Sequence, residues 1–298
     1  KIKIKIKRLN QTLILFIILL FSYLFYLSIP ALYNYESVHK QLETKLLEDF
    51  NLKMSISKDI KYRIMPTPHF VINKNIINFE STSNLNNDIK ANKTKIFIRS
   101  SNFFNSKDVQ LKKVLIEDAI ININESNWKN INKFLNNEIP EKRILIKKSK
   151  IFIKNKKKTL AIFTINNYKM FYSPEKNITT LNYTGTAFNS PINLEWYKEP
   201  NHPNLSNFML KLKDLNTTIK SSLLKKNTND STEYEVKNLV SFLGSKIFIN
   251  YLITDDSIIL SSEKSTLRNK SFDCKGIINL NPFFFNINLN FEKVNFSR

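Results

Sequence analysis

The chain has 298 residues, with 46 Lys+Arg against 25 Asp+Glu, a formal net charge of +21, and only 3 Gly, 1 Cys and 3 His. Three glycines are too few for a loop that cradles phosphate with its backbone, and one Cys excludes an internal disulfide framework or a Cys-rich zinc site. Only 6 of the 46 cations are Arg, so the bidentate fork that nucleic-acid readers favour is scarce. The surplus of Lys, Asn and Ile follows the bias of AT-rich codons; attraction to an anionic membrane surface is the specific alternative.

Residues 1–8 hold five cations and no acid, and the eighteen residues from Thr12 to Ile29 carry no charge. Pro30-Ala31-Leu32-Tyr33 extends the run, and 22 residues at ~1.5 Å each reach about 33 Å, enough for a ~30 Å hydrocarbon core. Tyr23, Tyr26 and Tyr33 lie toward its far end, where an aromatic belt is expected. The competing reading is a cleaved signal peptide, but the stretch is too long and no Ala-x-Ala site follows. The expectation is an uncleaved anchor, its basic flank cytoplasmic and the rest of the chain across the membrane.

Glu36 to Phe50 predicts a helix just beyond the anchor: Val38, Leu42, Leu46, Leu47 and Phe50 recur at helical steps with charges between them. His39 on this segment reads as a surface residue. From Asn51 onward the period becomes two. Leu52, Met54 and Ile56 alternate with polar residues, as do Ile60, Tyr62 and Ile64, and the pattern returns at Leu210/Leu212 and Ile287/Leu289. Other runs are apolar at every position, such as Ile96-Phe97-Ile98 and Ile247-Phe248-Ile249, and are expected to be covered on both faces. Lys154 to Lys158 reads as a turn. The expected order is a basic segment (1–11), a transmembrane anchor (12–33), a juxtamembrane helix (34–50) and a β-rich domain (51–298). The fold class is mainly β, with a long curved antiparallel sheet forming either an open groove or a sandwich.

Few parts are present for chemistry. His69 follows Pro68 at a strand corner and reads as core or surface; His202 sits in a Pro-flanked loop. No Ser occupies a Gly-x-Ser-x-Gly elbow and no His pair has metal spacing. Glu117-Asp118 and Asp255-Asp256 are adjacent carboxylates, which on strands point to opposite faces. Trp128 and Trp196 read as core or interface, and Cys274 as structural or free. No catalytic, cofactor-binding or metal residue is assigned, no cofactor is expected, and the chain is read as a non-enzyme.

Several stretches resemble the AsmA family of bacterial membrane-anchored proteins. One is the succession of anchor, short helix and Leu46-to-Ile56. Another is Ile60-to-Ile72 with its Pro66-Thr67-Pro68 corner. Val114 to Trp128 is similar to the family's strand leading to Asn-Trp, although Asn124-Glu125-Ser126 stands where Asp-Gly is usual, and Gly276 to Phe285 matches more loosely. The likeness covers the first half of the chain well and the rest loosely. It implies an inner-membrane, single-pass protein with a periplasmic β-rich part that serves envelope lipid transport and outer-membrane homeostasis.

The residues support that implication independently. A sheet with one apolar face held open makes a trough, and burying apolar surface gains about 25 cal/mol per Å², so an acyl chain would be stabilised there by several kcal/mol. Ile121, Ile123, Ile151, Ile153, Phe283 and Phe285 are the expected lipid-facing strand positions. The expected partners are membrane phospholipid, the inner membrane and outer-membrane proteins, not nucleic acid. Two alternatives remain in the sequence. The apolar faces can close on each other as a sandwich, or the protein is a scaffold for outer-membrane protein assembly that pairs clients through exposed strand edges. A single-anchor lipopolysaccharide carrier with a small jelly roll fits the Pro-x-Pro corner and the Asn-Trp stretch poorly.

Overall fold

A computed structural model describes residues 2–50, 52–56, 60–79, 89–101, 103–124, 142–155, 158–173, 175–198, 201–202, 204–227, 232–280 and 282–292. The chain forms two compact units, the first comprising Lys1–Asn122 and Ser126–Ile144, the second Ile123–Glu125 and Leu145–Arg298. The Asn127-Trp128 step of the sequence analysis lies outside the described residues.

The first unit opens with α1 (Ile2–Ser28), a 3-10 turn (Ile29–Leu32) and α2 (Tyr35–Phe50). Gln11–Leu32, 22 residues, is long and apolar enough to cross a membrane, and its side chains from Leu13 to Leu20 are exposed. Asn34 caps α2: its Oδ1 accepts from the backbone N–H groups of Glu36 at 3.0 Å and Ser37 at 3.2 Å. Val38, Leu42, Leu46 and Phe50 are buried along one stripe of this helix, as its spacing predicts, whereas Leu47 is half-buried. His39 is drawn in further than a surface residue, donating from Nε2 to the Ile56 carbonyl at 2.9 Å.

Five strands follow: β1 (Leu52–Ser55), β2 (Ile60–Arg63), β3 (His69–Phe79), β4 (Ile89–Ile98) and β5 (Leu111–Asn124). Their order is β1-β3-β4-β5, with β2 also on β3, each pair antiparallel. Ile96, Phe97 and Ile98 are all buried, so this continuous apolar run is covered on both faces.

A break in alternation crosses three of these strands in register. Asn73 pairs with Lys93 and Asn75 with Ala91, while Lys93 pairs with Glu117 and Ala91 with Ala119. Between those pairs stand Lys74 at φ 50° and Asp118 at φ 53°, both left-handed. One left-handed residue shifts side-chain parity by one. The buried set therefore passes from Phe70 and Ile72 to Asn75 and Ile77 on β3, and from Val114 and Ile116 to Ala119 on β5. The buried Asn75 amide confirms the shared face, donating to Thr94 Oγ1 at 3.0 Å and Met54 Sδ at 2.8 Å.

The second unit is built from strands alone among its described residues. After β6 (Arg143–Asn155) come β7 (Lys158–Ser173), β8 (Ile178–Ala187), β9 (Ser190–Lys198), β10 (Leu205–Leu212) and β11 (Thr217–Asn227). Then follow β12 (Thr232–Phe242), β13 (Ser245–Ile253), β14 (Ser257–Leu267), β15 (Lys270–Leu280) and β16 (Phe283–Phe291). The order follows the chain, as short hairpin turns require. Three connections are two-residue turns with both residues at positive φ: Phe188-Asn189, Leu243-Gly244 and Arg268-Asn269. That is the turn whose twist matches paired strands. Asp255-Asp256 lies in a bend between β13 and β14 rather than on a strand, so the opposite-faces argument does not apply to it; Lys154 and Asn155 belong to β6 rather than to a turn.

Candidate functional site

The hairpin turns fix register, and register aligns one apolar face from β7 to β16. One row runs Tyr183, Leu194, Leu210, Ile219, Val240, Ile247, each directly opposite the next on successive strands. A second row runs Leu223, Val236, Tyr251, Leu260, Gly276, Ile287. A third links Tyr234, Ile253, Ile258, Ile278 and Phe285. Polar residues interrupt the face at the cross-strand pair Ser221 and Asn238, between Phe208 and Ile249, at Ser206 opposite Leu223, and at Lys225 opposite Tyr234.

The alternate residues make a more polar face, although Met209, Leu239, Phe248, Leu252 and Ile259 also lie on it. There Lys237 lies opposite Ser222 and Asn250, and Lys220 opposite Met209 and Leu239. Glu235 pairs with Lys226 at 2.9 Å and Lys237 at 3.2 Å, and hydrogen bonds first from Lys226, then from Lys237, hold its carboxyl below the ordinary value. A cavity of about 480 Å³ opens on this polar side, walled by Glu195, Tyr197, Met209, Lys220, Lys237 and Phe248.

Coverage differs between the two faces. Glu195, Tyr197, Lys220, Lys237, Phe248 and Asn250 are exposed, whereas every apolar-face residue on β9 to β13 is half-buried or buried. A sandwich would bury such residues under a second sheet about 10 Å away. Among the described residues of this unit, the main strand contacts run between sheet neighbours, and the face is a single apolar layer. Ile247 and Ile249 belong to it while Phe248 emerges on the polar side, 40% exposed, so this run is not covered on both faces as Ile96–Ile98 is.

The face is also inhospitable to charge. Burial pushes the Tyr183 phenol up to about 12 and raises those of Tyr168 and Tyr251 and the Cys274 thiol. Tyr183 keeps its hydroxyl satisfied by donating to the Thr164 carbonyl at 2.7 Å. That close approach needs Gly185, since a Cβ there would stand 1.8 Å from the Thr164 oxygen.

The expected lipid-facing positions fall in three places. Ile121 is half-buried on β5 opposite Ile89, with Ile123 half-buried two residues on. Ile151 and Ile153 are half-buried on β6. Phe283 and Phe285 lie on β16, on the apolar face opposite Leu280 and Ile278, with ring centroids 6.3 Å apart and exposures of 72% and 61%. The pair Phe283/Phe285 thus joins the aligned face. The centre of that face, at Leu194, Leu210, Ile219 and Val240, was missing from the expected set, although the spacing of Leu210 and Leu212 carried the signal.

The isolated polar residues have structural roles. His69 is buried, donating from Nδ1 to the Thr67 carbonyl at 2.7 Å and stacking on Phe97, and burial lowers its pKa. Glu117 is engaged by Lys95 at 2.8 Å, and Trp196 is buried beside Phe208. Among the described residues, no three His, Cys, Asp or Glu side chains converge as metal ligands would. The chain matches no protein-family model and no curated protein.

Proposed function

We propose that this chain is an AsmA-like, non-enzymatic protein of the bacterial inner membrane, which carries or shields phospholipid acyl chains on the apolar sheet face of its periplasmic part. The observation that carries the reading is the aligned apolar face of β7–β16, held as one layer with no second sheet or helix over it among the described residues of that unit. Acyl chains are the ligand class such a face suits, because they need burial and no directional hydrogen bond. The apolar stretch Gln11–Leu32 supplies the anchor. The surplus of Lys over acid suits a site near anionic headgroups. No step of this activity needs a catalytic group or cofactor.

A photoreactive phenylalanine analogue at Ile219 on the apolar face, and in a separate variant at the adjacent Lys220 on the polar face, tests this in cells whose lipids carry radiolabelled phosphate. Label is expected to crosslink at 219 and not at 220. Crosslinking of neither, in folded protein, would sink the carrier reading. Capture of protein but no lipid would favour the scaffold reading, which β16 also suits. Among the described residues that strand has a single neighbour, and it is exposed along its whole length.

A further inference from the structure

The end of α1 is fastened to the first unit rather than left as a free tether. Tyr26 donates its hydroxyl to the Ser100 carbonyl at 2.6 Å, and Tyr33 donates to the Phe103 carbonyl at 2.5 Å. From the sheet, Tyr62 donates back to the Leu27 carbonyl at 2.6 Å. Of the three tyrosines at the expected aromatic belt, Tyr26 and Tyr33 clamp the β4–β5 loop, and Tyr23 is 57% exposed.

The clamp fixes the loop's depth. Tyr26 lies six residues before Leu32, so it sits about 9 Å inside a span that ends there. The rings of Phe103 and Phe104 lie beside it, each 5.4 Å from its centroid. Phe103 is buried, but Phe104 projects with 79% of its surface exposed. The β2–β3 loop reaches the same end of the sheet, where the Ile98 N–H donates to the Pro68 carbonyl, and its Met65 is 75% exposed. Leu32, at the end of the span, is 78% exposed. Arg63 and Arg99 close the strands just behind these tips.

We infer that this end of the first unit is seated in the lipid interface, with Phe104, Met65 and Leu32 inserted among the headgroups and upper acyl chains and the two arginines at phosphate level. The inference rests on the anchoring reading and goes beyond it. The tyrosine hydrogen bonds supply a second argument. A backbone carbonyl at the depth of Tyr26 lacks water and needs an internal partner, which the Tyr26 hydroxyl provides to Ser100. The pattern of apolar tips with cations behind them is that of interfacial binding.

The test uses the full chain in vesicles of phosphatidylethanolamine and phosphatidylglycerol, in a Cys274→Ser background with single cysteines carrying an environment-sensitive fluorophore. Phe104→Cys and Met65→Cys probe the tips. Leu19→Cys probes mid-span, and Lys90→Cys probes the opposite end of β4, about 26 Å from Ile98 at ~3.3 Å per residue. Blue-shifted emission and quenching by shallow spin-labelled lipid are expected at 104 and 65, with deep quenching at 19 and neither effect at 90. Water-like emission at both tips alongside deep quenching at 19 would overturn the seating and leave the anchor standing. Water-like emission at 19 as well would overturn the anchor and the seating together.

Discussion

Tyr183 shows at one residue what the apolar face does to chemistry. Its phenol is pushed up to about 12 by burial, against about 10 in the unfolded chain. The folded state therefore favours the neutral form. The associated stability is complete below about pH 10 and is lost as pH rises through the folded value. Tyr168 and Tyr251 are shifted in the same direction by burial, so the whole protein should weaken steeply in this alkaline window. Replacing Tyr183 with Phe should cost about 1 kcal/mol near neutral pH, through loss of the hydrogen bond to the Thr164 carbonyl. It should also flatten part of the alkaline slope. Urea midpoints measured from pH 7 to pH 11 check both; identical slopes for parent and variant would refute the assignment.

Among elements, the two left-handed residues that flank β4, Lys74 on β3 and Asp118 on β5, make the sharpest claim. Lys74 is exposed and sits at φ 50°, a conformation a β-branched residue tolerates poorly. Lys74→Val should lose about 1–2 kcal/mol, whereas Lys74→Gly should stay near the parent because glycine enters that region without a Cβ penalty. Lys90→Val, on a regular exposed position of β4, should be neutral or slightly stabilising, and chemical denaturation distinguishes the three. These two positions are not legible in the sequence, since neither Lys74 nor Asp118 stands in a turn signal. Helix α2 was legible because Val38, Leu42, Leu46 and Phe50 repeat at one fixed step. The runs Ile96–Ile98 and Ile247–Ile249 look alike in sequence yet differ in burial, because coverage depends on what packs above each strand and not on the strand itself. Membership of the candidate face was half legible. Alternation told which of Leu210, Lys211 and Leu212 share a side, but alignment of Leu210 with Ile219 depends on the turn at 213–216, and that of Val240 with Ile247 on Leu243-Gly244.

For the molecule as a whole, the extent of the apolar face sets an expectation about load. Ten strands, β7 to β16, are separated by nine gaps of ~4.8 Å, so the face is about 43 Å across the strands. An acyl chain spans half of a ~30 Å hydrocarbon core, about 15 Å. The carrier reading therefore predicts room for at least two chains end to end along the rows that begin at Tyr183 and Leu223. Native mass spectrometry of the full chain released from lipid nanodiscs should show species carrying more than one phospholipid. An aspartate at Leu210 places a carboxylate in the middle of the first row, between Leu194 and Ile219. Desolvating that charge against a neighbouring acyl chain is costly, so Leu210→Asp should deplete the multiply loaded species while circular dichroism still reports the parent strand content. Aspartate at Lys211 on the polar face should leave the loading pattern as it was. Equal loading of the two folded variants would mean that lipid, where bound, does not lie along this face.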